Sequence, residues 1–294
     1  MTAKIIDGIA IAREVRIGIA ARAAVLKSHG IVPALTVILV GDDPASSIYV
    51  RNKVRACGEV GIKSEVVRLP ADESEESLLA HIRVLNDAPD VHGILVQLPL
   101  PPQISPRRVL ETISVAKDVD GFHLYNVGGL VIGQTVFPPC TPYGVQKILE
   151  HEGIDLEGKN VTVVGASNIV GKPLALMLMQ REATVAICHA KTRDLAQYTI
   201  LADILVVAAG QPKLIVAPMV RTGAVVIDVG INILPGGKLT GDVDFQNVRQ
   251  KASCITPVPG GVGPMTVTML LENTVAAAER ATGFRPAAKT LFPI

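Results

Sequence analysis

Apolar side chains fall at Ile11, Val15, Ile19 and Leu26, a helical spacing over Asp7 to His29 that ends at Gly30. The next apolar run, Leu35 to Val40, is uninterrupted and closed by Gly41-Asp42-Asp43-Pro44, which predicts a buried strand and its turn. The pattern continues with a helix to about Gly61, a strand near Glu65 to Leu69, and a helix opened by Ser74 with Glu75 and Glu76 in its first turn. Gly93 to Leu98 reads as another strand, and Ser105-Pro106 opens a short helix as cap and first helical residue. Such alternation predicts an α/β half with a largely parallel sheet.

Between Lys117 and Pro139, glycines and prolines interrupt the pattern, and a loop-rich boundary is expected there. A helix restarts at Thr141-Pro142 and ends at Gly153. Strands Val161–Val164, Val185–Cys188, Ile204–Ala208 and Val225–Val229, with helices between the first of them, predict a second α/β unit of the doubly wound kind. Thr266 to Ala281 reads as an apolar helix.

Composition narrows the class. Its 294 residues leave room for two domains, and only 3% are aromatic, so Val, Ile, Leu and Ala must build the cores. The 28 basic residues nearly balance the 27 acidic ones and form no long run, which argues against a nucleic-acid footprint. Cys57, Cys140, Cys188 and Cys254 are scattered without a C-x-x-C pair, a pattern of a reducing compartment rather than of disulfides or a metal site; no metal is expected. The first residues lack a signal-like apolar core, and no charge-free apolar run is long enough to span a membrane. The expectation is a soluble cytoplasmic protein.

Two places carry candidate chemistry. The predicted strand Val161–Val164 runs into Gly165-Ala166-Ser167-Asn168-Ile169-Val170-Gly171 and an apolar helix, the geometry that offers backbone N–H groups and a helix N-terminus to a pyrophosphate. Ser167 stands where G-x-G-x-x-G has its second glycine, and taken alone the turn is equally an ordinary βα connection. The following strand ends without the carboxylate that holds the ribose in NAD-specific folds. It ends in His189, Lys191, Thr192 and Arg193, which favours a 2′-phosphate pocket and NADP over a merely solvated basic loop. Asp228-Val-Gly-Ile231-Asn232 closes a later strand at the same sheet edge; Ile231 is expected at the cofactor, while Asp228 is equally a satisfied strand-end acid. The second place is the helix after Pro44, where Tyr49 and Lys53 share one face. Such a pair is commonly packing. The Tyr-x-x-x-Lys of short-chain dehydrogenases follows the nucleotide turn in one domain, whereas this pair precedes Gly165 by more than a hundred residues.

Five segments together, Tyr49-Val-Arg-Asn-Lys53, Gly93-Ile-Leu-Val-Gln97-Leu-Pro-Leu-Pro101, Lys117-Asp-Val-Asp120-Gly-Phe-His123, Gly165-x-Ser-x-Ile-Val-Gly-Lys-Pro173 and Pro257-Val-Pro-Gly-Gly-Val-Gly-Pro-Met-Thr266, closely resemble the bifunctional methylenetetrahydrofolate dehydrogenase/methenyltetrahydrofolate cyclohydrolase family. The resemblance runs from about Asp7 to Glu279 in the family's order. It implies a folate-binding catalytic domain over residues 1–139 and 269–294, a Rossmann-like NADP domain over 140–268, and a cleft between them used for both reactions. It also implies a homodimer. Lys53 would be the acid/base of the hydrolytic step, Gln97 would orient it, Tyr49 would stack on the folate rings and Asp120 would accept from pterin N–H groups. Pro259, Gly260, Gly261 and Val262 would lie close to nicotinamide and substrate. Each has a plainer alternative: Gln97 capping a strand end, Asp120 holding its own turn, the glycines turning the chain. Many members carry Arg where this chain has Ala166 and Ser where it has Ala190, so NADP preference must rest on His189, Lys191, Thr192 and Arg193.

Three rivals remain. A dehydrogenase of amino or hydroxy acids needs a carboxylate-binding arginine and an acid/base His or Lys, a set with no clear place here. A non-catalytic binding protein or a dehydrogenase without hydrolase activity would most simply arise by loss of Lys53 or Gln97, and both are present.

Overall fold

The computed structural model describes residues 2–284; residues 285–294, the end of the expected returning segment, lie outside the described ones. The described chain divides into two compact units, each built from two separated stretches: residues 2–14 with 127–269, and residues 15–126 with 270–284. The opening strand β1 (Lys4–Ile5) and the helix α1 (Gly8–Ser28) precede a continuous α/β succession.

In the unit holding residues 15–126, β2 (Ala34–Val40) is central, with β3 (Lys63–Leu69) and β4 (Gly93–Val96) parallel on either side. Every residue of β2 is buried, which is why its sequence shows no alternation. The helix α2 (Pro44–Glu59) starts cleanly because Asp43 accepts from the Ser46 N–H at 2.7 Å and Pro44 fills the first helical position. That backbone bond, together with one from the Ser46 hydroxyl, holds the Asp43 carboxyl below its ordinary range. In α3 (Glu75–Asp87), Ser74 caps the Ser77 N–H, and Leu78, Leu79 and Ile82 pack against Ile38, Val40 and Ile94. The short α4 (Pro106–Thr112) begins at the expected proline. Its cap Ser105 makes no side-chain capping bond; its N–H donates to Glu75 Oε2 at 2.6 Å instead.

The stretch expected to be loop contains α5 (Leu124–Val131). Gly128 and Gly129 hide it, since glycine is a poor helix former. Gly129 is there for another reason: a Cβ at that position would come within 2.7 Å of the Gln134 carbonyl oxygen.

The remaining unit is a six-stranded, all-parallel sheet ordered β1-β11-β8-β7-β5-β6. Its elements after α6 (Cys140–His151) are β5 (Asn160–Val164), α7 (Gly171–Met179), β6 (Thr184–Cys188), α8 (Ala196–Thr199), β7 (Ile204–Val207) and β8 (Val225–Asp228). A hairpin of β9 (Asn232–Ile233) and β10 (Leu239–Thr240) follows, then α9 (Phe245–Val248), β11 (Cys254–Ile255) and α10 (Val262–Ala281), whose residues from 270 onward belong to the unit built on β2. Strand order reverses at β5, with β6 to one side and β7 to the other, and the loops leaving β5 and β7 flank that switch point. Val164, Leu205, Val207, Val226 and Ile255 form the core beneath it. β1, β9, β10 and β11, two residues each, are too short to leave a periodic signal. α10 starts four residues before the expected Thr266, because Gly263 and Pro264 in its first turn mask the onset. Among the described residues no helix is long and apolar enough to cross a membrane.

Candidate functional site

The turn after β2 delivers the chain into α2, whose inner face buries Val50, Ala56 and Cys57. That fixes the rotation of the helix and places Tyr49 and Lys53 one turn apart. Gln97 leaves β4 with its backbone N–H still in the ladder, donating to Ile38 O at 2.9 Å. Its side-chain amide nitrogen donates to Leu98 O at 2.6 Å, which turns Oε1 outward to accept from Lys53 Nζ at 3.0 Å. The lysine is thus aimed by an acceptor that carries no charge, so the ammonium is oriented without being neutralised by an ion pair at that contact. Tyr49 is 39% exposed, and partial burial raises its phenol pKa, keeping it protonated at neutral pH. Burial pushes the Cys57 thiol up to about 12, which leaves it unreactive beside this group.

Asp120 sits half-buried in the turn that joins the 3₁₀ segment Val115–Lys117 to α5. The turn is closed by a neighbouring acid. Asp118, 1% exposed, accepts from the N–H groups of Phe122 and His123 at 3.3 and 2.8 Å and from Asn126 Nδ2 at 2.7 Å. Asn273 Nδ2 donates to Val119 O at 2.9 Å and ties α10 to the same turn. Lys117 caps α3 by donating to Leu85 O and Ala88 O, and burial lowers its pKa. Lys117 and Asp118, which sequence reasoning passed over, both have structural duties in this motif; within Lys-Asp-Val-Asp nothing local distinguishes the two carboxylates.

In the other unit, the turn after β5 has the shape that glycine permits. Gly165 has φ +119°, and a Cβ there would lie 2.1 Å from Ala208 O at the end of β7. A Cβ on Gly171 would lie 1.8 Å from Gly165 O. Ser167, in the position of the missing glycine, accepts from the Val170 N–H at 3.1 Å, so its hydroxyl helps cap α7. Ala166 is half-buried beside it and Ile169 is exposed. After β6, His189 N–H donates to Thr192 Oγ1 at 3.0 Å, and Lys191 N–H donates to His189 Nδ1 at 3.1 Å, folding the loop into a compact turn. His189, Lys191, Thr192 and Arg193 line a pocket of about 550 Å³ together with Asp194 and Tyr198. Imidazole, ammonium, hydroxyl and guanidinium donors around one pocket suit a phosphate group.

Ile231 is 45% exposed after β8. Asp228 at that strand's end is 3% exposed and accepts from the N–H groups of Gly230, Asp242 and Val243, each at 3.0 Å. This makes it a satisfied strand-end acid. Burial, with Asp242 adding to it, still pushes its carboxyl up to about 6 against those N–H bonds. In the proline–glycine segment, Pro259 is exposed, Gly260 has φ +103°, and Gly261 and Val262 are buried. The close approach made by these glycines is to the chain itself: a Cβ on Gly8 would lie 1.8 Å from Gly261 O. Gly8 and Asp242 were both missed in the sequence, because their partners are far away along the chain.

Known proteins match along nearly the whole length. Residues 6–120 match the family model of the tetrahydrofolate dehydrogenase/cyclohydrolase catalytic domain, and residues 139–282 that of the family's NAD(P)-binding domain. The bifunctional protein FolD of Nitrosospira multiformis is 60% identical over 281 residues, covering 96% of this chain and 98% of that protein. The crystal structure of the bifunctional enzyme FolD, a methylenetetrahydrofolate dehydrogenase/cyclohydrolase from Campylobacter jejuni, superposes with a TM-score of 0.93 at 53% identity, covering 95% of this chain and 99% of that one. The Trypanosoma brucei methylenetetrahydrofolate dehydrogenase-cyclohydrolase, solved with NADP and an inhibitor, gives 0.92 at 39% identity, covering 96% and 99%.

Proposed function

This chain belongs to the tetrahydrofolate dehydrogenase/cyclohydrolase family and is a bifunctional, NADP-binding enzyme of one-carbon metabolism; from that premise we propose which of its residues perform the two reactions. The reactions are oxidation of 5,10-methylenetetrahydrofolate to the 5,10-methenyl cation, then hydrolysis of that cation to 10-formyltetrahydrofolate. Bound NADP supplies the hydride acceptor for the first.

The observation that carries the assignment is the 3.0 Å contact from Lys53 Nζ to Gln97 Oε1. Hydrolysis adds water to the one-carbon bridge and breaks its bond to N5, so a proton must leave the water and another must reach the nitrogen. Lys53 moves these protons, and Gln97 holds it in place for both transfers. Oxidation removes a hydride from carbon and needs no proton carrier; it needs alignment of the two rings. Tyr49 stacks on the folate ring system, and Asp120 accepts from the pterin N–H groups. Pro259, Gly260, Gly261 and Val262 line the substrate and nicotinamide.

Gly165, Ala166, Ser167, Ile169 and Gly171 would hold the pyrophosphate of NADP, with Ile231 beside them. His189, Lys191, Thr192 and Arg193 would take the 2′-phosphate, and the pocket they line supports NADP over NAD. The same reading makes the enzyme a cytoplasmic homodimer whose product feeds purine biosynthesis, on the strength of the family resemblance. Light scattering on the purified chain tests the dimer. The activity is tested spectrophotometrically: methylenetetrahydrofolate with NADP or NAD should yield reduced nicotinamide, and methenyl absorbance should then decay. Absence of both signals would overturn the assignment.

A further inference from the structure

At the carboxyl end of the six-stranded sheet, one fully buried acid joins several loops. Asp242 is 0% exposed. Its Oδ2 accepts from the N–H groups of Ala209 and Gly210 at 2.7 and 2.8 Å, and its Oδ1 accepts from Asn232 Nδ2 at 2.8 Å. Its own N–H donates to Asp228 Oδ1. None of these partners is a basic side chain, so the buried carboxylate is held by directed N–H bonds alone.

The peptides it grips leave β7 immediately after Ala208. The Ala208 N–H donates to Val164 O at 2.7 Å, and Ala208 O occupies the place a Gly165 side chain would take. Ala209 and Gly210 are themselves exposed, yet their N–H groups turn inward onto Asp242. Asp242 therefore fixes the course of the loop leaving β7 beside the loop leaving β5, and the two loops flank the switch point where doubly wound sheets bind dinucleotides. Gly230 and Gly241 are part of the same packing, since a Cβ on either would lie within 2.3 Å of a carboxylate atom of Asp242 or Asp228.

We propose that Asp242 is a positioning residue for NADP, setting the backbone of Ala208, Ala209 and Gly210 that the cofactor meets. The inference rests on the dehydrogenase reading above. The strands beneath these loops are held by their own ladders, so loss of the grip should act on the loop and on cofactor affinity, leaving hydrolysis, which uses no dinucleotide, untouched.

Kinetics on the full-length enzyme test this. The parent must first show both activities; a parent without NADP-dependent oxidation overturns the dehydrogenase reading and this inference with it. Asp242→Asn places an amide N–H₂ among donors. It should raise the KM for NADP roughly tenfold, the loss of one charged hydrogen bond, with kcat, the folate KM and the hydrolysis rate within about twofold of the parent. Combining it with Asn232→Asp restores one acceptor set facing one donor set and should recover most of the loss. An unchanged KM for NADP, an equal fall in both activities, or no recovery in the pair would overturn the proposal. If Asp242→Asn does not yield folded protein, Asn232→Ala removes one donor from the half-buried rim. It should raise the KM for NADP about threefold, as for one neutral hydrogen bond, and an unchanged value is again fatal.

Discussion

In the unit built on β2, the proposed chemistry is placed by side chains on regular elements: a helix lysine and a strand-end glutamine joined at 3.0 Å. In the unit built on β5, the proposed cofactor site is placed by backbone shape, kept by glycines at 165 and 171 that touch other backbone and by two buried aspartates that collect N–H groups. The first arrangement depends on which side chain stands at each position. The second depends on where a Cβ is forbidden.

The sharpest test of that contrast is Lys53→Met. It should abolish hydrolysis of methenyltetrahydrofolate, with about 10²- to 10⁴-fold at stake, while hydride transfer falls far less. Lys53→Arg keeps the charge but holds its proton throughout the working range, so it should fail in hydrolysis too. Parental hydrolysis in either variant would remove Lys53 from the mechanism. Gly171→Ala probes the other side. Its Cβ must displace the Gly165 carbonyl, and overpacking of this kind costs about 1–3 kcal/mol. Chemical denaturation should report that loss, and NADP binding should weaken while folate binding persists. A neutral substitution would mean that the turn is not shape-determined.

Asp120→Ala should lower folate affinity by about 1.5–3 kcal/mol, the contribution of a charged hydrogen bond, with NADP affinity unchanged in calorimetry. Loss of NADP binding instead would assign Asp120 to the fold. The smallest effect is expected at Arg193→Glu, because the guanidinium is exposed. NADP should weaken by about 1 kcal/mol or somewhat more, and NAD hardly at all. Equal weakening of both would leave Arg193 a surface charge.

The legibility of these regions follows the same division. The strand–turn–helix at Gly165 shows in local spacing and residue type, whereas Lys53 and Gln97 are singled out by the segments that carry the family resemblance. The choice between Asp118 and Asp120 does not stand out, since turn closure depends on where Phe122, His123 and Asn126 bring their N–H groups. Asp242 is silent for a similar reason: Ala209 and Gly210, some thirty residues earlier, give no sign in the sequence that their N–H groups need an acceptor. α5 is hidden by glycines required for close packing, and β11 by its brevity.

The pairing of β1 with β11 has a consequence for how the molecule is made. Lys4 pairs with Cys254 and Ile5 with Ile255, so β1 must wait to dock beside a partner some 250 residues further along the chain. Gly8 seats against Gly260 and Gly261 in the same act. On a ribosome, the unit built on residues 15–126 has most of its chain early, whereas the six-stranded sheet stays short of β11, and of the β1 edge beyond it, until residue 255 has emerged. Pairings this distant in sequence are slow to form, and an exposed strand edge is open to wrong partners until they do. Completion of the nucleotide-binding sheet is therefore expected to lag behind the unit that carries Lys53, a delay that pulse proteolysis of nascent chains would record as late protection of β8 and β11.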